Sequence, residues 1–227
     1  VLTYIRQLSA IHPSLQCRPH FFDPLELSTV DFDLSFSADG IRNSWLIRQY
    51  LLQVPYARHG ALYIKKWAKR AGINNGKSGY FCSYAFVIMW IYFLVFEEKS
   101  LEFIPPESIP PLPAECESFE KLHQPLPPFD YASTALGEAI LKFFHFYTSA
   151  FDWGSNVVSL CRPGGTSRKE INWNRSLSGN ATYYYMCVED PYKENLNLGR
   201  NLTEQRASKT IDAMNEWIST VAFHVKS

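Results

Sequence analysis

Residues 29–36 alternate strictly, with Val30, Phe32, Leu34 and Phe36 on one side and Asp31, Asp33 and Ser35 on the other. A period of two predicts a strand with one packed face and one acidic face. From Gly40 the pattern turns helical. It predicts a helix near 41–52 and a second near 55–71. Pro55 opens the second, because its fixed φ suits a first helical turn, and Gly72 closes it. Ala57, Ala61, Ile64 and Ala68 form its apolar stripe. Gly76 to Tyr80 reads as a loop. A third helix, from about Ser83 to Glu97, is apolar all round, which predicts a central position. Its apolar run from Tyr84 to Phe96 falls short of the ~20 residues that span a bilayer.

The flanks are less regular. Residues 1–12 show weak helical spacing, broken by Pro13, Pro19 and Pro24. Residues 105–128 hold eight of the fourteen prolines, which predicts a long irregular surface connection within one domain. A helix near 133–150 turns Leu136, Ile140, Phe143, Phe144 and Tyr147 inward. Val157 to Leu160 reads as a short strand, closed by Arg162-Pro163-Gly164-Gly165. Residues 166–181 are polar and turn-rich, and Tyr183 to Val188 reads as extended. Asn201 is placed to cap a last helix, with Glu204 completing a capping box. The stripe of that helix is Ala207, Ile211, Met214, Ile218 and Val221.

Composition narrows the class. The chain has 227 residues, 46% hydrophobic and 15% aromatic, enough to bury a full core and too apolar for disorder. It carries 22 basic and 22 acidic residues, so any attraction to nucleic acid rests on a local patch. Cys17, Cys82, Cys116, Cys161 and Cys187 form no CxxC pair; they read as small buried hydrophobes in a reducing compartment. The histidines have neither metal-ligand spacing nor a triad arrangement.

Four stretches carry candidate chemistry. The acidic face of the first strand can hold a divalent cation through oxygen ligands, or is a solvated edge. Lys65 and Lys69 share one face of the second helix, as do Lys66 and Arg70, which suits phosphates or an ordinary solvated face. Trp67, between them, is expected in the core. Ser83 can bond phosphate and Tyr84 can stack on a base; the plain alternative is an N-cap serine followed by a core tyrosine. The stretch 188–200 is a shaped polar loop in which Asp190 either reads a base edge or caps a turn before Pro191.

Taken in order, Asp33-Leu-Ser-Phe, Arg42-Asn43-Ser44, Lys65-Lys66-Trp67-Ala68-Lys69-Arg70, Cys82-Ser83-Tyr84 and Glu189-Asp190-Pro191-Tyr192 through Asn197-Leu198-Gly199-Arg200 resemble one family. It is the noncanonical poly(A) polymerase and terminal uridylyltransferase family of the DNA polymerase β-like nucleotidyltransferases. The resemblance spans about residues 30–203 and is strongest to trypanosomatid terminal uridylyltransferases. It implies an α+β fold: residues 1–39 as the remnant of a catalytic nucleotidyltransferase sheet, and 40–227 as a mainly helical PAP-associated central domain with a nucleotide-recognition loop at 188–200. It implies transfer of uridylate from UTP to an RNA 3′ hydroxyl, with ATP and poly(A) addition as the alternative. Asp33 matches the third catalytic aspartate and would hold Mg2+ or Mn2+. Asn43 and Ser44 would contact sugar or base, Lys65, Lys69 and Ser83 the phosphates. Tyr84 would stack on the base and Asp190 would help read it.

Two departures qualify the match. Residues 1–28 contain neither the Gly-Ser turn nor the paired aspartates that the family places before the third, so the chain is expected to be the C-terminal portion of a longer enzyme. An inactive relative serving as a scaffold is the alternative. Uridylyl-adding relatives often carry an acid three residues after the aspartate or a histidine six after it; here stand Lys193 and Leu196, with Glu194 adjacent. The resemblance further implies RNA processing or editing, protein partners within a complex, and a mitochondrial or else cytoplasmic location. Neither DNA nor a membrane is an expected partner.

Overall fold

The computed structural model describes residues 21–22, 29–30, 39–110, 134–173 and 184–226. The expected helix at 1–12, Asp31 and Asp33 of the alternating stretch, most of the proline-rich connection and residues 174–183 lie outside them. The chain divides into two units, Val1–Ala38 and Asp39–Ser227. In the first, β1 (Phe21–Phe22) pairs antiparallel with β2 (Thr29–Val30), Phe21 opposite Val30. β2 is the described start of the predicted strand.

The second unit is built from helices α1 (Asp39–Gln53), α2 (Pro55–Arg70), α3 (Ser83–Tyr92), α4 (Ala135–His145) and α5 (Glu204–Lys226). α2 ends as its sequence predicts. Gly72 takes φ +70°, the Ile73 N–H reaches the Ala68 carbonyl at 3.1 Å and the Gly72 N–H reaches Lys69 at 3.2 Å. That paired bonding is a Schellman cap, and the left-handed residue it needs is glycine. The apolar stripe is buried as expected, including Ala57, Ile64 and Ala68.

α3 is central, with every residue from Ala85 to Tyr92 buried. It packs on α2 where Gly60 leaves room for the Trp90 indole, whose N–H donates to the Ala57 carbonyl at 2.7 Å. From the other side α4 brings Phe143 edge-on to Trp90 and Phe144 against Trp67, with centroids 4.6 Å apart in the second pair. Trp67 is therefore a half-buried packing residue, as expected. The Tyr147 hydroxyl donates to the Met89 carbonyl at 2.8 Å. Both α3 and α4 close in a π-helical turn, at Phe93–Glu97 and Phe146–Ala150, through i to i+5 bonds.

Several expectations need correction. The strand near 157–160 is shorter: β3 (Asn156–Val157) pairs antiparallel with β4 (Thr166–Ser167), and Val158 makes a single parallel bridge to Val188. β4 falls in a stretch read as turns. α5 is capped by Thr203, whose Oγ1 accepts the Arg206 N–H at 3.4 Å, and not by Asn201. The cap residue of α3 is Cys82; Ser83 is already helical. Cys82 is exposed, so it is not the buried hydrophobe expected, whereas Cys187 is buried.

α1 also holds the start of the proline-rich connection along its length. The Gln53 side chain pairs with the Glu102 backbone, accepting at 2.7 Å and donating at 3.1 Å. The Tyr50 hydroxyl exchanges bonds with the Ile104 backbone at 3.0 Å. Arg42 donates to the Ile109 carbonyl at 2.8 Å. The mixture of helices with small two-stranded sheets is an α+β arrangement. No helix among the described residues is long and apolar enough to cross a membrane.

Candidate functional site

The loop 188–200 is held by its own polar groups. Asn197 is buried; its Oδ1 accepts from the Val188 N–H at 3.0 Å and the Gly199 N–H at 2.8 Å, and its Nδ2 donates to the Met186 carbonyl at 3.2 Å. One amide thus satisfies both sides of the hairpin base, which keeps buried backbone groups paired. Two residues on, position 199 must be glycine: a Cβ on Gly199 would stand 2.4 Å from the Met186 carbonyl oxygen and 2.9 Å from the Phe81 ring. Before the loop, the fully buried Arg168 donates to the backbone carbonyls of Trp153, Tyr184 at 2.6 Å and Tyr185 at 3.1 Å. That guanidinium ties the approach to the loop onto the β3–β4 region.

At the loop's tip, Asp190 is buried and its Oδ1 accepts the N–H groups of Tyr192 and Lys193, both at 2.9 Å. The turn-capping alternative therefore holds for this oxygen. The other carboxylate oxygen makes no hydrogen bond among the described residues. Glu189, beside it, accepts from the Ser159 hydroxyl at 2.6 Å. Lys193 and Glu194 are exposed and Leu196 is half-buried.

Tyr84, far away in sequence, comes to the same place. Burial pushes its hydroxyl well above the ordinary tyrosine range, and the Asp190 carboxylate pushes it further, with smaller contributions from Tyr192 and Cys161. Tyr192 is likewise pushed up, to about 12, by burial, against the opposing effect of Arg42. Burial also lifts the Cys161 thiol, to about 12. These groups are neutral at physiological pH. The Arg42 guanidinium lies over the Tyr192 ring, 4.1 Å from its centroid.

Two enclosed polar atoms here have no hydrogen-bond partner among the described residues: Asn43 Oδ1 and Tyr84 Oη. Orphaned groups of this kind are costly, by ~1–3 kcal/mol each. Ser44 is exposed and spends its proton on the Gly40 carbonyl at 2.7 Å. Ser83 is half-buried and accepts from Asn74 Nδ2 at 2.8 Å, which orients its hydroxyl oxygen at the start of α3. Lys65 is half-buried and Lys69 exposed on α2, and neither has an acidic partner among the described residues.

The structure thus brings Tyr84 and Asp190 together, gathers Tyr192 and Arg42 with them, and sets Asn43 beside Arg42 on α1. It leaves Ser44 at the surface and shows no contact between the two lysines and the other members. Asp33 lies outside the described residues. Among those described, no group of three His, Cys, Asp or Glu side chains is placed to hold a metal ion. Sequence reasoning passed over Arg42, Tyr192 and Asn197 as site residues. Arg42, Tyr192 and Asn197 stand within the quoted stretches, yet nothing in their local pattern announces such contacts.

A profile described as the Cid1 family poly A polymerase matches residues 135–196, from α4 through most of the loop. Terminal uridylyltransferase 1 of Trypanosoma brucei brucei is 40% identical over 212 residues, 82% of this chain; the chain spans about a fifth of that relative's length, 21%. The structure of RNA editing TUTase 1 from Trypanosoma brucei in complex with UTP superposes with TM-score 0.75 at 40% identity, over 86% of this chain and 43% of that one. Terminal uridylyl transferase 4 from the same organism, with bound dUTP, gives TM-score 0.69 at 34% identity, over 80% of this chain and 72% of that one. On this sequence identity, reach and shared fold, the chain belongs to the terminal uridylyltransferase and poly(A) polymerase family.

Proposed function

We propose that this chain provides the nucleotide-binding part of an RNA 3′-terminal uridylyltransferase. The observation that carries the reading is the meeting of Tyr84 and Asp190 amid enclosed polar atoms that lack partners. A uracil stacked on the Tyr84 ring would place a base edge before the Asp190 oxygen that the turn leaves unused. The Asn43 side-chain oxygen, with Ser44 nearby on α1, is suited to the sugar. Ser83, Lys65 and Lys69 would take the triphosphate, a cluster of fixed and mobile positive charge against developing pyrophosphate charge. The RNA 3′ oxygen would form its bond to the α-phosphorus as the bond from that phosphorus to the α–β bridging oxygen breaks, pyrophosphate leaving and the hydroxyl proton passing to solvent water. These residues hold and orient the nucleotide; orientation alone can account for much of such a reaction's acceleration.

Asp33 remains, within this proposal, the carboxylate that would bind Mg2+ or Mn2+. The described residues do not by themselves assemble a metal site. With Lys193 where relatives carry an acid, base choice falls to Asp190. The test is addition to a short RNA primer by the full-length protein, with each nucleoside triphosphate in turn. UTP is expected to exceed ATP in kcat/KM by at least about tenfold, equivalent to ~1.4 kcal/mol. Equal use of the four would overturn the assignment of Asp190, and preference for ATP would favour poly(A) addition.

A further inference from the structure

Arg42 is held on three sides. Its Nε donates to the Ile109 carbonyl at 2.8 Å, a terminal nitrogen reaches the Pro106 carbonyl at 3.5 Å, and its flat face covers the Tyr192 ring at 4.1 Å. Among the described residues no carboxylate pairs with it. Its charge is therefore spent on two carbonyl dipoles and an aromatic face. A planar guanidinium donates along its edge while stacking flat through its face; an ammonium is a point charge with no flat face to stack.

The ring it covers belongs to the base-reading turn. The backbone N–H of Tyr192 is one of the two that Asp190 Oδ1 accepts. At its other end, Arg42 immediately precedes Asn43, whose side-chain oxygen is enclosed and unpaired. One side chain therefore joins the helix that offers Asn43 to the turn that offers Asp190, and pins both to the 106–109 segment.

We propose that Arg42 is a positioning residue that seats the Asp190–Lys193 turn against α1, using the Tyr192 ring as its handle, and thereby sets the Asp190 carboxylate for base selection. The consequence for base selection rests on the uridylyltransferase reading; the seating itself does not.

The experiment compares Arg42→Ala, Arg42→Lys, Tyr192→Leu and Tyr192→Phe in the full-length protein. Amide hydrogen exchange at Tyr192 and Lys193 reports whether the turn stays seated. Steady-state addition to a primer RNA reports UTP and ATP kinetics. In Arg42→Ala, Arg42→Lys and Tyr192→Leu, those two amides are expected to exchange about tenfold faster, with α2 and α3 amides unchanged, because a local opening leaves the rest of the structure protected. UTP KM is expected to rise about tenfold, with kcat within about threefold and discrimination against ATP reduced, the signature of lost binding rather than lost chemistry. Tyr192→Phe, which keeps the ring under the guanidinium, is expected to keep wild-type exchange at both amides. Should Arg42→Ala fail to fold, Arg42→Lys and Tyr192→Leu still decide the matter. Unchanged exchange at both amides overturns the proposal, and so does uniform acceleration through α1–α3, which marks a general stability role. A wild-type protein that uses no UTP would overturn the functional reading, while the exchange result would still decide the seating.

Discussion

Replacing Tyr84 with alanine is expected to weaken UTP binding by about 10- to 100-fold, the range set by ~1–3 kcal/mol of base–aromatic stacking. Tyr84 stands one residue inside α3, half-buried, with its hydroxyl fully enclosed and unpaired. The ring is the part that a base can use. The hydroxyl costs stability, since a buried donor without a partner forfeits its hydration. Tyr84→Phe is therefore expected to keep UTP affinity within about threefold and to raise unfolding stability by ~1 kcal/mol. Calorimetric titration of UTP and chemical denaturation of both variants check these two effects separately. If Tyr84→Phe loses as much affinity as Tyr84→Ala, the hydroxyl is the contact and the stacking role is wrong.

The largest loss of stability is expected from Gly60→Ala. A Cβ there would lie 2.2 Å from Trp90 Cζ2 and 2.6 Å from Cε2. The indole cannot retreat. Its N–H is bonded to the Ala57 carbonyl at 2.7 Å, it stacks on Phe93, and Phe143 meets it edge-on. α2 and α3 must then separate, at a cost of about 3 kcal/mol, the upper part of what overpacking usually costs. The Trp90→Phe substitution removes the colliding atoms. The double variant is expected to be more stable than the sum of the two single losses predicts, because the sites are in contact. Denaturant titration of the three variants gives the comparison; a Gly60→Ala protein as stable as wild type would contradict the packing described.

The helical part of this fold was legible because its signals are local. Pro55 and Gly72 bound α2 by backbone chemistry alone, and the unbroken apolar run at 84–96 states that α3 is central. Of the pair β3–β4, the first strand was legible in the Val157–Leu160 stretch, though shorter than read; the second was not, since two residues carry no period. Asn201 was a plausible cap from its type and spacing; Thr203 took the role because the chain turns into α5 only after Leu202. At the site, Tyr84 and Asp190 were readable through the family's order of residues, and the structure brings them together. Arg42, Arg168 and Asn197 were not. Each is a polar side chain, buried or half-buried, that satisfies backbone groups the fold brings from elsewhere, and that pairing has no expression in the surrounding sequence. Ser44, by contrast, has the right position in the order but bonds its own helix.

The central claim is that side chains from α1, α2, α3 and the 188–200 loop form one site for a nucleoside triphosphate. The most direct measurement is a crystal structure of the full-length protein with UTP. The expected result is uracil on the Tyr84 ring, a base edge within hydrogen-bond distance of Asp190, and phosphates toward Ser83, Lys65 and Lys69. UTP bound away from Tyr84 and Asp190, or phosphates directed away from α2, would contradict it.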